Sequence, residues 1–147
     1  MPQHTFVIFR AGSQRFALPL RAVQQVVRLP ALTPIAGAPP VIAGLLDFHG
    51  RLIPVLIGHV LLDQPLHIHL NSMVMILGVA VDQPQLGLLV DEVYGVYQAH
   101  PAGIIPLALG SRVLAASLRT DDGIIPVLDP ETLVTHAQVA ATPDLVA

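Results

Sequence analysis

The sequence predicts an all-β protein built from two similar five-stranded β-barrels that pack together, with one or two short helices. Fourteen Pro and eleven Gly divide its 147 residues into short runs rich in Val, Ile and Leu, a pattern typical of strands. Apolar landmarks recur in the same order about 70 residues apart, which indicates a duplicated unit. The recurring pairs are Phe6 with Val74, Ala17 with Leu88, and Ile53 with Ile125. Each unit holds about five strands, and such a sheet loses its exposed edges when it closes into a barrel.

Ten short apolar runs are predicted to be strands. In chain order they are Thr5–Ala11, Gln14–Pro19, Gln24–Arg28, Leu45–His49, Leu52–Ile57, Met73–Val81, Gln85–Val90, Val93–Tyr97, Val113–Arg119 and Gly123–Leu128. Pro54 and Pro126 occupy equivalent places in the two units. Because proline cannot donate a ladder hydrogen bond, each predicts an edge strand or a bulge.

Helical signals are few. One helical turn is predicted from Leu20, and a helix is predicted after Asp129, a good N-cap that precedes Pro130 in the first helical position. The small and polar residues from His136 onward are typical of a flexible tail. The expected divisions are one domain over residues 1–135, with intertwined halves at about 5–70 and 72–134, and a tail over residues 136–147.

The composition favours a protein that binds other proteins. Charged residues make up 12% of the chain and hydrophobic residues 53%, so apolar surface is expected to remain exposed. The formal net charge is −3 and the seven Lys and Arg are scattered, which argues against a nucleic-acid-binding face. The absence of Cys excludes disulfides and fits a cytoplasmic location. The start of the chain lacks a secretory signal, and prolines interrupt the uncharged stretches 29–46 and 93–111, so no insertion into a membrane is expected.

The stretch Gly44–Gly58 predicts a hairpin with one buried face. Alternation places Asp47 and His49 on the outer face, and Gly50 supplies the unusual backbone angle of a tight turn. An Asp and a His on one face could act as an acid–base pair, but no Ser, Lys or Cys nucleophile is signposted nearby. The outer face of the hairpin is therefore expected to be solvated, with no catalytic residue.

The histidines raise the alternative of a small metal-binding or hydrolytic β-barrel protein. Its candidate residues are His49, His59, His67 and His69. The spacing of a zinc-protease motif is absent, so a polar connector between the two units is favoured. Adjacent Asp91 and Glu92 are expected to be solvated turn charges that point apart. No phosphate-binding or nucleophile motif occurs, so we expect no enzymatic activity, no cofactor and no metal.

Several motifs together resemble the CheW-like adaptor domain of bacterial chemosensory systems, over about Phe6 to Val134. FVIF and FALPLRAVQQVV occur where the family has an apolar strand, a YALP-type strand and a V-x-E-I segment. GLLDFHGRLIPVLIGH resembles the family signature GVINLRGxVVPVIDLR, and LGLLVDEV at residues 86–93 resembles VGLLVDEV. The closing IIPVLDPETLV resembles the family's last strand and the ILDLEKLL segment that follows it.

The resemblance implies two five-stranded SH3-like β-barrels packed together, in agreement with the duplication. It implies a non-enzymatic scaffold that bridges methyl-accepting chemoreceptor tips and the regulatory domain of a CheA-type histidine kinase, which has the same fold. The receptor tip would dock in an apolar groove between the barrels, and kinase and adaptor would meet barrel to barrel. The implied partner-binding residues are Val23 and Val26 beside the groove, Gly44, His49 and Gly50 on the hairpin, and Gly87, Val90, Val93 and Val96 on the second-barrel side.

The polar part of the family pattern is changed in this chain. Asp47 and His49 stand where the signature has Asn and Arg, and Gln25 stands where the V-x-E-I segment has Glu. The Asp-Leu-Arg that ends the signature is replaced by Ile57–His59. Arg is always charged and binds a carboxylate through two hydrogen bonds, which His cannot do. Gln25, Asp47 and His49 are therefore expected at a rewritten partner surface, serving a flagellar, type IV pilus or other pathway, or self-association.

Overall fold

The structure is a computed structural model that describes residues 4–69, 71–80, 82–107 and 113–141. Eleven strands and two α-helices occur in these ranges. The strands are β1 (Thr5–Ala11), β2 (Gln14–Pro19), β3 (Val23–Arg28), β4 (Ile42–Phe48), β5 (Arg51–Ile57), β6 (Met73–Leu77), β7 (Leu86–Val90), β8 (Glu92–Gln98), β9 (Ile104–Pro106), β10 (Leu114–Thr120) and β11 (Gly123–Leu128). The helices are α1 (Gly58–Leu61) and α2 (Pro130–Ala141), and 3₁₀ turns occupy Leu20–Ala22 and Pro101–Gly103.

All ten predicted strands are present, and β1, β2 and β11 have the predicted bounds. The helical turn at Leu20 and the helix that begins at Pro130 are also confirmed. The Asp129 carboxylate caps this helix, because it accepts hydrogen bonds from the Glu131 amide at 3.1 Å and from the Thr132 hydroxyl at 2.9 Å. Short-range patterning therefore predicts most of the elements.

Four local features differ from the prediction. The sequence does not predict β9 and α1, because elements of three and four residues are too short to show a period. The strand predicted over Met73–Val81 ends at Leu77, and Val81 lies outside the described residues. The tail expected from His136 begins too early, since α2 continues to Ala141 and Ala137 is fully buried.

The strands form two sheets, one of six strands in the order β8-β1-β2-β11-β10-β9 and one of five strands in the order β3-β6-β7-β5-β4. The prediction of five strands in each unit is therefore wrong for the first sheet, because β9 adds a sixth strand beside β10. Both orders are open, with β8 and β9 at the edges of one sheet and β3 and β4 at the edges of the other. The predicted all-β fold of two similar sheets with two short helices is therefore confirmed, while the strand pairing leaves both sheets open.

The duplication appears in the strand order, and the two units exchange hairpins. The order β8-β1-β2-β11-β10 corresponds to β3-β6-β7-β5-β4, with parallel pairs at equivalent places, β2 with β11 and β7 with β5. Hairpin β1–β2 pairs with strands from the second half of the chain, whereas hairpin β6–β7 pairs with β3 and β5 from the first half. Each sheet is therefore assembled from both halves.

The largest hydrophobic cluster takes residues from both sheets and from α2, and we call it the shared core. On β1, Val7 and Phe9 belong to the shared core, while Phe6 and Ile8 on the opposite face pack in a second cluster with β10 and β11. A third cluster fills the five-stranded sheet on its far side. Because side chains alternate along each strand, every central strand feeds two clusters.

Candidate partner-docking site

Four of the predicted valines lie on the shared-core side of the two edge strands β3 and β8. Their cross-strand neighbours all belong to the shared core, and directly opposite residues share a face. The pairs are Val23 with Leu77, Val26 with Met75, Val93 with Phe9, and Val96 with Val7. Three of these valines are half-buried against the shared core, whereas Val96 is 62% exposed. We call Val23, Val26, Val93 and Val96 the valine face.

Gly87 and Val90 lie in the interior, on the central strand β7. Val90 has no exposed surface and belongs to the shared core. A Cβ added to Gly87 would lie 2.7 Å from Val74 Cγ1 and 3.1 Å from Val55 Cγ2, so this glycine allows two side chains to approach its backbone. The structure therefore places both residues in the interior rather than on a surface: Val90 in the shared core, and Gly87 facing the third cluster on the other side of the sheet.

The hairpin of β4 and β5 turns at His49 and Gly50, as the sequence predicts. Phe48 pairs with Arg51, and both intervening residues have positive φ, 53° at His49 and 84° at Gly50, as in a type I′ turn. The Asp47 carboxylate accepts a hydrogen bond from the Gly50 amide at 2.8 Å, which holds the turn. His49 is one of the residue types that tolerate this conformation, and its ring meets the Phe48 ring at 4.4 Å between centroids.

A depression of about 380 Å³ opens beside this turn. Its lining comes from β3, from the hairpin and from the loop between β6 and β7, and consists of Gln24, Gln25, Phe48, His49, Arg51, Asp82 and Pro84. The structure thus brings together Gln25 and His49, two of the positions where the family pattern is changed. Sequence reasoning missed Phe48 and Arg51, although both flank the predicted turn directly. The depression offers an aromatic ring, a guanidinium and a carboxylate to a partner.

Asp91 is buried, so the expectation of a solvated turn charge at this position is wrong. Its side chain is 4% exposed, and its Oδ2 oxygen accepts hydrogen bonds from the Gly12 amide at 2.6 Å and from His59 Nε2 at 2.7 Å. His69 Nε2 lies 3.3 Å from Oδ1, and the Arg10 guanidinium lies 3.5 Å from Oδ2. We call Arg10, Gly12, His59, His69 and Asp91 the Asp91 cluster. The neighbouring Glu92 is exposed, as expected.

The environment of Asp91 lowers the pKa of its carboxyl below the ordinary value of 3.8. Burial raises this pKa, but the hydrogen bonds from Gly12 and His59 and the charges of His59 and Arg10 outweigh burial. A carboxylate at this position is therefore ionised at neutral pH and stabilised by its partners.

The lowered pKa predicts an acid-dependent stability. A group whose pKa is lower in the folded state stabilises the fold above its unfolded-state pKa, and this stability is lost as the pH falls through the lowered value. The advantage of the unsubstituted protein over Asp91→Asn is therefore expected to be full at neutral pH and to shrink below the ordinary pKa of 3.8. Urea unfolding of both proteins across this pH range measures the difference. A difference that stays constant into acid would contradict the prediction.

The histidine alternative is not favoured. His59 is 1% exposed and binds Asp91 from α1, so it is not part of a polar connector. His67 and His69 lie in the exposed segment after α1, and His49 lies in the β4–β5 turn. Within residues 4–69, 71–80, 82–107 and 113–141, no group of three or more His, Cys, Asp or Glu side chains is arranged to hold a metal ion. Among the same residues, no helix is long and apolar enough to cross a membrane.

Comparison with known proteins relates this chain to a protein family and to a solved structure. The sequence profile of the CheW-like domain matches residues 5–138. Among solved structures, the chain is similar to the scaffolding protein TtCheW from Thermoanaerobacter tengcongensis, with a TM-score of 0.77 and 24% identity. That match covers 88% of this chain and 90% of the other, and it confirms the fold. No curated protein matches the chain.

Proposed function

Because the chain belongs to the CheW-like domain family, we propose that it is a non-enzymatic adaptor of a bacterial chemosensory pathway. In this role it couples methyl-accepting chemoreceptors to a CheA-type histidine kinase. The observation that carries the proposal is the family match, which spans residues 5–138 and therefore both sheets. The exposed Tyr94 and Val96 on the edge strand β8 support a role in binding proteins.

The valine face is the proposed site for the receptor tip. A receptor tip is a helical hairpin, and an amphipathic helix docks its apolar side into an apolar groove. Val23, Val26 and Val93 are half-buried on the shared core and so need little ordering on binding, while Val96 offers exposed area. The equivalent positions of these valines in the two units suit a partner that contacts both edge strands.

The turn of the β4–β5 hairpin and the depression beside it are the proposed contact with the kinase regulatory domain. Gln25, His49, Phe48 and Arg51 line this depression, and Asp47 and Gly50 fix the shape of the turn. The aromatic ring and the guanidinium are side chains enriched at protein interfaces. A contact here leaves the valine face available, so receptor and kinase can be held at the same time.

A binding experiment with partners from the same organism tests the proposal. The regulatory domain of each CheA-type kinase and a receptor signalling hairpin are titrated with the purified chain in a calorimeter. We expect binding of both, with dissociation constants on the order of micromolar. The proposed function would be rejected if neither kinase nor receptor bound the chain at protein concentrations on the order of tens of micromolar, where even weak specific complexes form.

The His49 substitution tests whether the hairpin sets the choice of kinase. His49→Arg is expected to raise the affinity for a conventional CheA-type regulatory domain about tenfold, because Arg adds a permanent charge and a bidentate donor. His67→Arg is the matched control, since it adds the same charge at an exposed position outside the hairpin. Equal affinities of the His49→Arg variant and the unsubstituted protein would show that partner choice is set elsewhere.

A further inference from the structure

The Asp91 cluster lies where the chain crosses between the two sheets. Asp91 is the single residue between β7, the central strand of the five-stranded sheet, and β8, an edge strand of the six-stranded sheet. Strand β8 carries Val93 and Val96, half of the valine face. The conformation at Asp91 therefore determines where β8 begins relative to both sheets.

Groups from separate segments converge on the Asp91 carboxylate. The Gly12 amide comes from the β1–β2 turn and His59 Nε2 comes from α1, and both bind Oδ2. The Asp91 backbone amide also donates to the carbonyl of Arg10 on β1, at 2.9 Å. One residue thus joins the β1–β2 hairpin of the six-stranded sheet to the helix that follows β5 of the five-stranded sheet.

The buried His59 ring contributes a hydrogen bond to Asp91 and does more than fill space in the core. A carboxylate only accepts hydrogen bonds, so His59 Nε2 is the donor in the pair. The Nδ1 atom of the same ring is buried and has no hydrogen-bond partner among the described residues. An unpaired buried nitrogen opposes folding, and an aliphatic side chain at this place would avoid it. The hydrogen bond to Asp91 therefore explains why a histidine occupies this buried position.

The equivalent crossover in the first unit is built without such a cluster. The chain passes from β2 to β3 through the 3₁₀ turn Leu20–Ala22, in which Leu20 and Arg21 are exposed and Ala22 is buried. Among the described residues, Asp91 is the only Asp or Glu that is buried, so no buried carboxylate lies at the Leu20–Ala22 turn. The fold can therefore make the crossover without a buried ion, and the Asp91 cluster is a feature of the β8 side alone.

We propose that Asp91 is a positioning residue that ties the start of β8 to α1 and the β1–β2 hairpin and so holds Val93 and Val96 ready for docking. The use of the valine face rests on the proposed function, whereas the positioning of β8 is a property of the free protein. His59 acts with Asp91 because it donates the hydrogen bond that joins α1 to this residue.

Amide hydrogen exchange of the free full-length protein tests the positioning. In Asp91→Asn, exchange is expected to rise about tenfold or more in β8 and α1 and to stay unchanged around the His49–Gly50 turn, because the described residues of the β4–β5 hairpin form no hydrogen bond or ion pair with the cluster. Glu92→Gln is the matched control, because Glu92 is the adjacent carboxylate and lies 3.8 Å from the same Arg10, but is exposed. This control is expected to change nothing. Equal increases in all strands, or no increase in β8, would overturn the proposal.

Two substitutions at His59 keep the test decisive if Asp91→Asn folds poorly. His59→Leu removes the donor and is expected to reproduce the local rise in exchange. His59→Gln retains an amide donor of similar reach and is expected to restore protection of β8. A merely structural role would make the two variants alike, which would overturn the assignment.

Partner binding then separates this inference from the proposed function. If the receptor hairpin binds the unsubstituted protein, its affinity is expected to fall about tenfold in Asp91→Asn and to stay unchanged in Glu92→Gln, measured where both variants are folded. If the receptor hairpin does not bind, the proposed function fails, while the local rise in exchange still supports the positioning of β8. Receptor affinity that is unchanged in Asp91→Asn would overturn the role of Asp91 in docking.

Discussion

Replacing Val96 by Asp is expected to weaken binding of a receptor hairpin by about 30-fold, the cost of losing one well-placed apolar contact. Val96 is 62% exposed on an edge strand, so an Asp there remains solvated in the free protein. When a helix covers the valine face, however, the carboxylate is buried without a partner, which opposes binding. The free energy of unfolding is expected to change by less than about 0.5 kcal/mol, as for most surface substitutions.

Ile124→Asp is the matched control for this prediction. Ile124 is 63% exposed, almost the same as Val96, but it lies on β11 and outside the valine face. Calorimetric titration of both variants with the same receptor hairpin measures the two affinities, and urea unfolding checks that both are folded. Equal losses of affinity in the two variants would mean that the valine face has no special part in docking.

Replacing Gly44 by Ala is expected to lower the free energy of unfolding by about 3 kcal/mol, from backbone strain and overpacking together. Gly44 is buried in β4 with a φ of 153°, a conformation that residues with a side chain rarely adopt. An added Cβ would lie 2.7 Å from the carbonyl oxygen of Thr33, which is backbone and cannot rotate away. Thr33 is fixed there because it exchanges two backbone hydrogen bonds with Leu45, at 2.9 and 2.7 Å. Gly44, one of the predicted site residues, thus allows the backbone of Thr33 to lie close to β4.

Gly50→Ala separates the two contributions. Gly50 also has a positive φ, 84°, but an added Cβ there meets nothing within 4 Å. Its substitution is expected to cost about 1 kcal/mol, the strain of the left-handed backbone alone. Equilibrium unfolding in urea, followed by circular dichroism, compares the two variants. The prediction is contradicted if Gly44→Ala costs no more than Gly50→Ala.

Local patterns predict the strands and the His49–Gly50 turn well, because side-chain alternation and turn chemistry act over a few residues. Local patterns do not predict which strands pair with each other. The repeat relates Phe6 to Val74 and so predicts two like units, but an apolar face does not specify which sheet it joins. Intertwined halves are expected from the sequence, but the identity of the exchanged hairpins, β1–β2 and β6–β7, is seen only in the strand order.

Some residues of the candidate site could likewise be predicted from the sequence, and others could not. The resemblance identifies the four valines, and the register of β3 and β8 places them on one side of the sheets. The burial of Asp91 could not be predicted, because its binding groups Gly12 and His59 are distant in sequence and carry no common motif. A charged residue directly after the apolar run of β7 was a weak signal, since an aspartate at a turn is usually solvated.

The exchanged hairpins also set an order in which the protein can be assembled during synthesis. The five-stranded sheet uses consecutive strands, β3 to β7, and all of its residues have been made once Val90 has left the ribosome. Hairpin β1–β2 is synthesised earlier, yet its partner β11, which ends at Leu128, is the last of the described strands to be made. The first hairpin must therefore wait, with both edges unpaired until β8 is made and with the β2 edge unpaired until β11 is made. A nascent chain halted shortly after Val90 would hold one complete sheet and one exposed hairpin, the form in which a chaperone has most to protect.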